Sequence, residues 1–246
     1  MNILIINSSD QGGGAELVNT NMNKYFIDYG FNSKMLVGKK KGNEENTFSI
    51  DNEYHSSVWV RLNKYLANSL PYPFTNFFKI IGLPNWRYKQ LGREPLYFPG
   101  SNSFFSSLEK YPDLIQIGNL HGKYFDIRLL AKISSKTPIV LRLSDMWMLT
   151  GHCAHSLSCN RWEIGCGKCP DLNLYPSIKR DGTKKNLQVK EAIYRRSRLY
   201  ISTPSKWLME KVKRSVLKYS AIDYRVIPTG IDLSFFKPGK KNELRK

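Results

Sequence analysis

Residues 2–37 read NILIINSSDQGGGAELVNTNMNKYFIDYGFNSKMLV. Asn2–Asn7 is a short apolar run, the pattern of a buried β-strand. Ser8–Gly14, SSDQGGG, is a loop of turn-forming residues. Ala15–Tyr29 sets Leu17, Val18, Met22, Tyr25, Phe26 and Tyr29 at helical spacing, and Gly30 is a natural stop. Ser33–Val37 is a second strand. A β-loop-α-β unit joins parallel strands, so these residues predict an α/β protein with a parallel sheet and helices on both faces.

The alternation weakens over residues 43–99. Val58–Leu70 reads as a helix, and Pro71–Pro99 is rich in aromatics and proline, an insertion with a short helical hairpin. Regular order then resumes: a helical turn at Phe104–Lys110, a strand at Leu114–Ile117, a helix at Tyr124–Ile133 and a strand at Ile139–Leu143. The last third reads as a helix at Lys185–Arg196, a strand at Leu199–Thr203, a helix at Ser205–Arg214 and a strand at Tyr224–Ile227. No internal repeat is present. The closing GKKNELRK is a polar end expected to fray.

Hydrophobic residues make up 41% of the 246, and aromatics 13%, ample for a packed core. MNILIIN has no basic n-region and no cleavage site, so it reads as a first β-strand, and a signal peptide is not expected. No apolar run approaches the roughly 20 residues that span a bilayer. A cytoplasmic protein is expected.

Asp145–Pro170, DMWMLTGHCAHSLSCNRWEIGCGKCP, holds all four cysteines, Cys153, Cys159, Cys166 and Cys169. The spacing ends in C-x2-C, a turn that can present two thiolates to one tetrahedral metal. Three readings stand: a structural Zn(II) held by the four thiols, disulfides, or buried unliganded thiols. Disulfides require an oxidising compartment. Catalytic zinc is disfavoured, since four sulfur ligands leave no position for water. His152 or His155 can take the place of one cysteine.

The net charge is +18, unevenly placed. Residues 1–175 carry 19 Lys and Arg against 14 Asp and Glu; residues 176–246 carry 19 against 6. A basic face calls for an anionic partner or is simply solvated surface. Nucleic acid is not expected, because no zinc-finger helix, RNP-type aromatic motif or helix-turn-helix pattern places the charge in a groove.

In open α/β sheets ligands bind outside the carboxyl ends of the strands. Gly12–Gly14 follow the first strand and let backbone approach a ligand, with a helix N-terminus behind them. His121 follows the strand Leu114–Ile117, within GNLHG. Asp145 follows Ile139–Leu143 and either binds substrate hydroxyls or caps the next turn. Ser205 is a helix N-cap.

The order GGGAE, NLHG, DMWMLTGHC…C..W..GC..CP, STPSKWL and VIPTGIDLSFFKP resembles the N-terminal half of family 4 glycosyltransferases. These are retaining, nucleotide-sugar-dependent enzymes of GT-B architecture. The likeness is greatest to the bacterial surface-polysaccharide branch, whose members carry a similar cysteine-rich segment. It implies that residues 1–227 form a Rossmann-like acceptor-side domain, with the insertion at 43–99, the cysteine-rich loop at 145–175, and the start of an interdomain linker at 228–246. The family's donor-binding domain, with its E-x7-E motif, is not in this sequence. That departure implies an isolated domain, a truncated gene product, or half of a split enzyme that is inactive alone and partners a separate donor-domain chain.

The resemblance makes His121 the catalytic histidine near the transferred sugar. Gly13, Gly14 and Glu16 would line the cleft, and Asp145 would shape the acceptor side. Ser144 stands where relatives often have histidine. The substrates implied are a nucleotide-sugar and a glycan or lipid-linked acceptor. The leaving phosphate would be stabilised by positive charge and backbone dipoles. Attachment to an anionic inner-membrane surface follows from Lys206, Lys211, Lys213 and Arg214 and the arginines of Tyr194–Arg198, since each such cation contributes about 1 kcal/mol. A non-catalytic, zinc-stabilised binding module is the alternative.

Overall fold

The computed structural model describes residues 1–72, 74–231 and 233. Among them, strands β1 (Asn2–Ser9), β2 (Asn32–Lys39), β3 (Thr47–Ser49), β4 (Leu114–Ile117), β5 (Ile139–Arg142), β6 (Leu199–Thr203) and β7 (Ala221–Val226) form one sheet. Its order is β3-β2-β1-β4-β5-β6-β7, and every neighbouring pair is parallel. This is the expected Rossmann-like α/β architecture. The chain leaves β1 toward β2 and β3 on one side and returns to lay β4 on the other. The order therefore reverses between β1 and β4, and their carboxyl ends flank the switch-point crevice where ligands bind in such sheets.

Strand alternation divides the core. Ile3, Ile5, Met35 and Val37 pack with Met22 and Phe26 of helix α1 (Gly14–Asp28). Leu4, Ile6, Leu36, Ile115 and Ile117 point the other way, into the larger cluster. That cluster is closed by Leu130 of α6 (Leu129–Ser134), Ile193 and Tyr194 of α7 (Thr183–Tyr194), and Val212 of α8 (Lys206–Arg214). Ile5 and Ile6 are wholly buried, each contributing about 1.5–3 kcal/mol of transfer free energy.

Several expectations shift. Helix α1 buries Asn19 and Asn23, while Leu17, Tyr25 and Tyr29 are exposed. The two asparagines are satisfied by Gln116, at 3.0 Å, and Ser33, at 2.7 Å, so polar partners on the sheet override the apolar spacing. Helix α6 starts at Leu129, five residues after Tyr124, because Phe125 and Ile127 are buried in irregular chain and Asp126 accepts from the Arg128 backbone N–H. The turn placed at Phe104–Lys110 is the end of α5 (Pro99–Ser106), which Pro99 opens. Strand β3 is only three residues long, too short to show alternation.

Helix α2 spans Val58–Ser69, and the insertion continues as α3 (Phe74–Gly82) and α4 (Pro84–Gln90). Ser205 caps α8: its hydroxyl accepts from the Leu208 N–H at 3.3 Å. Most of the expected linker at 228–246, including GKKNELRK, lies outside the described residues.

Candidate functional site

The parallel register pairs Ile117 with Leu141, so the loops leaving β4 and β5 emerge side by side. This brings together two residues 24 positions apart: His121 Nε2 lies 2.8 Å from Asp145 Oδ2. The other carboxylate oxygen of Asp145 accepts from the Trp147 backbone N–H at 2.8 Å. Asp145 thus ties down Trp147, which opens the 3-10 turn Trp147–Leu149, and orients the histidine as well. With Nε2–H donating to the carboxylate, Nδ1 is an acceptor, and it is buried without a protein partner. Trp147 and Tyr175 meet the imidazole edge-on, at 6.1 and 5.6 Å between ring centres.

His121 lines a cavity of about 340 Å³ with Glu94, Leu120, Trp147 and Tyr175. Glu94 receives the indole N–H of Trp147 at 3.0 Å. The cavity shares Glu94, Phe98, Lys123 and Pro176 with a larger one of about 960 Å³ toward α4, so the two form a continuous cleft. Lys89, Arg93, Lys123 and Lys179 line the larger cavity against the single carboxylate of Glu94. A cleft with apolar walls, lined by one histidine and four cations, suits a polar ligand carrying an anionic group.

Gly13, Gly14 and Glu16 are not part of this cavity lining. Glu16 is engaged locally: its carboxylate accepts from the Gly13 N–H at 3.0 Å and the Ser8 hydroxyl at 2.9 Å, closing the start of α1. The loop still borders the site, because Gly122 packs against the Ser8 side chain. Burial opposes ionisation of nearby Asp10, but the backbone N–H groups of Lys41 and Gly42, each at 2.8 Å, more than offset it and hold its carboxyl below the usual range.

The cysteine segment forms the adjoining wall. Cys153, Cys159, Cys166 and Cys169 line one small cavity of about 20 Å³, together with His152. His152 Nδ1 donates to the Pro176 carbonyl at 3.1 Å, which leaves Nε2 to accept from the Cys169 thiol at 3.4 Å. All four thiols are free, and among the described residues no three His, Cys, Asp or Glu side chains converge at metal-holding geometry. Burial pushes the Cys166 thiol up to about 11 and raises Cys153 and Cys169 as well.

The backbone there is unusual. Gly165, Cys166, Gly167 and Lys168 all have positive φ, at 107°, 58°, 84° and 47°. The two non-glycine residues carry strain that the surroundings must impose. They do so through Cys166 N–H to the Arg161 carbonyl at 2.7 Å, Gly167 N–H to Thr183 Oγ1 at 2.9 Å, and Cys169 N–H to Asp181 Oδ2 at 2.8 Å.

Sequence reading missed the group that ties this wall to the site. Lys190 is fully buried, and its ammonium donates to the carbonyls of Trp147 at 2.7 Å and Thr150 at 3.0 Å. It also sits 3.6 Å from the centre of the Trp147 ring. Burial lowers its pKa to about 8, against the raising effect of Glu94. A signal was present: Lys190 occupies the buried stripe of α7 with Leu187, Ile193 and Tyr194, where a lysine is unexpected.

No family model matches the chain. Over 203 residues it is 27% identical to "Putative colanic acid biosynthesis glycosyl transferase WcaC" of Escherichia coli (strain K12). The match covers 79% of this chain and 46% of that protein, so the chain spans about half the length of this curated relative. The chain is similar to a glycosyltransferase over most of its length.

Proposed function

We propose that this chain is the acceptor-binding side of a retaining GT-B glycosyltransferase of family 4, taking a sugar from a nucleotide-sugar to a glycan or lipid-linked acceptor. The observation that carries the reading is the Asp145-held His121 in a cleft lined by cations, at the switch point of a parallel sheet. Likeness to a named glycosyl transferase supports it. The acceptor would lie in the cleft, its anionic group among Lys89, Arg93, Lys123 and Lys179. His121 Nδ1, buried and unpartnered as it stands, would accept from a hydroxyl of the transferred sugar once the side chains around it yield, and so fix its orientation.

In the transfer, the bond from the anomeric carbon to the leaving diphosphate oxygen breaks. The acceptor oxygen bonds to that carbon and its proton passes to the departing phosphate. The exposed Gly13–Gly14 backbone at the start of α1 would face donor phosphate. Most donor contacts would come from a donor-binding domain, in the same protein or a separate chain, so this segment alone would be inactive.

The cysteine wall carries the donor types of a structural Zn(II), four thiols and an imidazole nitrogen around one cavity beside a strained knuckle, and these side chains would have to close in from where they stand to hold the ion. Cys153, Cys159, Cys166 and Cys169 would hold the ion, with His152 the alternative to one of them. Four such ligands close the coordination sphere, so the ion would fix the loop and leave the reaction to the cleft.

The test is transfer of radiolabelled sugar from nucleotide-sugars to a lipid-linked glycan, by protein that includes the donor-binding domain. Transfer abolished by His121→Ala is expected. Absence of transfer with every donor, or undiminished transfer by the variant, defeats the reading.

A further inference from the structure

Helices α2 and α3 pack as a hairpin with its apolar residues the wrong way round for a protein in water. The buried residues of the pair are Asn63, Ala67 and Gly82, and Gly82 abuts the Asn63 side chain so closely that a Cβ would not fit. The large residues face outward: Trp59, Leu62 and Tyr65 on α2, and Phe74, Phe77 and Ile81 on α3. Tyr65 is 68% exposed and Phe74 57%. On α3, Phe74, Phe77 and Ile81 recur at helical spacing and form one apolar stripe. An exposed patch of this kind marks a surface that meets another apolar phase.

Charge says which phase. Between Glu53 and Glu94 the chain carries Arg61, Lys64, Lys79, Arg87, Lys89 and Arg93 and no acidic side chain. Lys64 pairs with Glu53 at the margin, and Glu94 is turned toward Trp147. Aromatic and aliphatic residues among cations, without carboxylates, are the composition of an element lying in the headgroup region of an anionic bilayer. No helix among the described residues is long and apolar enough to cross a membrane, so the contact is interfacial.

The site lies in the right place for such a contact. A cavity of about 350 Å³ bounded by Val60, Arg61 and Lys64 of α2 shares Asn85, Trp86, Phe98 and Lys123 with the large cleft. The cleft therefore runs from His121 out to the hairpin. By contrast, the apolar side of α8, with Leu208, Met209 and Val212, is buried in the core, and Trp207 stacks on His155. Beside the cations of α8 the apolar surface is narrower than on the hairpin: Trp207 is half exposed, next to Lys211.

We propose that the α2–α3 hairpin docks on an anionic lipid bilayer, inserting Trp59, Leu62, Phe77 and Ile81 into the interface and opening the cleft toward the lipid surface. The proposal does not rest on sugar transfer, and its test reads binding alone. The full chain is sedimented with phosphatidylcholine vesicles with and without phosphatidylglycerol. Partition onto the anionic vesicles is expected to fall at least tenfold in L62S/F77S/I81S and less than threefold in K211E/K213E. In the unaltered chain, anionic vesicles should blue-shift the tryptophan emission, and Trp59→Phe should remove most of the shift. Three results each overturn the proposal: no partition of the unaltered chain, partition unchanged in a triple variant with unaltered circular dichroism, or hairpin-dependent self-association without lipid binding.

Discussion

Asp145 uses its two carboxylate oxygens for two tasks, fixing the imidazole of His121 at 2.8 Å and capping the Trp147 N–H at 2.8 Å. The tasks can be separated. In Asp145→Asn the amide oxygen can still accept from Trp147, but the amide nitrogen faces His121 with a donor, favouring the opposite tautomer. Thermal stability should hold while turnover falls about 10- to 100-fold with KM little changed, the signature of misplacing a positioned group. Asp145→Ala should lose the hydrogen bond to the Trp147 N–H as well, at about 1 kcal/mol.

Lys190 gives a pH signature to the wall it supports. Its pKa is depressed to about 8 by burial, below the value of an unfolded lysine. Above pH 8 the unfolded chain holds this proton and the folded chain releases it, so this group's contribution to stability rises as pH climbs toward that of free lysine. Below pH 8 the buried charge is a standing cost of up to about 3 kcal/mol, offset in part by its carbonyl partners and Trp147. Cys166 and Tyr194 have raised pKa values and act in the opposite sense. The informative quantity is therefore the difference between the unaltered protein and Lys190→Met. Denaturant melts from pH 7 to 10 should show that difference growing in favour of the unaltered protein.

The chain's class was legible in residues 2–37 because a strand-loop-helix-strand unit has few ways to bury its apolar faces. The neighbours of β1 follow from that unit, and so does the crevice beyond it. The pairing of His121 with Asp145 was harder to see: each residue was marked singly, and only the register of β4 against β5 joins them. Helix α1 misled through Leu17, Tyr25 and Tyr29, since Asn19 and Asn23 find partners on the sheet that spacing does not reveal. Lys190 escaped for the same reason, its hydrogen bonds going to carbonyls more than 40 positions or a full 40 earlier in the chain. The aromatic stretch after Val58 could be read as helical, but sequence alone did not say that its large residues face out.

Ser205 gives a clean stability test. Its hydroxyl accepts from the Leu208 N–H at the start of α8, a helix whose Leu208, Met209 and Val212 are in the core. Ser205→Ala should cost about 1 kcal/mol. In a domain of this size that lowers Tm by about 2–4 °C. Ser205→Asp should keep most of the stability, since its carboxylate can accept the same bond.

The cysteine wall makes the last prediction. Free thiols raised by burial, as in Cys166, are protonated at neutral pH, whereas metal ligation requires thiolates. Binding of Zn(II) should therefore release protons and gain strength as pH rises. Purified protein should carry about one zinc per chain, and chelation should lower Tm and expose thiols to a disulfide reagent. Cys166→Ser and Cys169→Ser should both lose the ion. His152→Ala separates the ligand sets: if four cysteines hold the metal, zinc content stays at about one per chain, because the imidazole is then only a hydrogen-bonding neighbour of Cys169. If His152 is a ligand, zinc is lost in that variant and retained when the cysteine it replaces is changed to serine. Protein that purifies without metal, with four titratable thiols and a Tm indifferent to chelator, would reduce the segment to buried thiols. The strained run from Gly165 to Lys168 would then be held by Arg161, Thr183 and Asp181 alone.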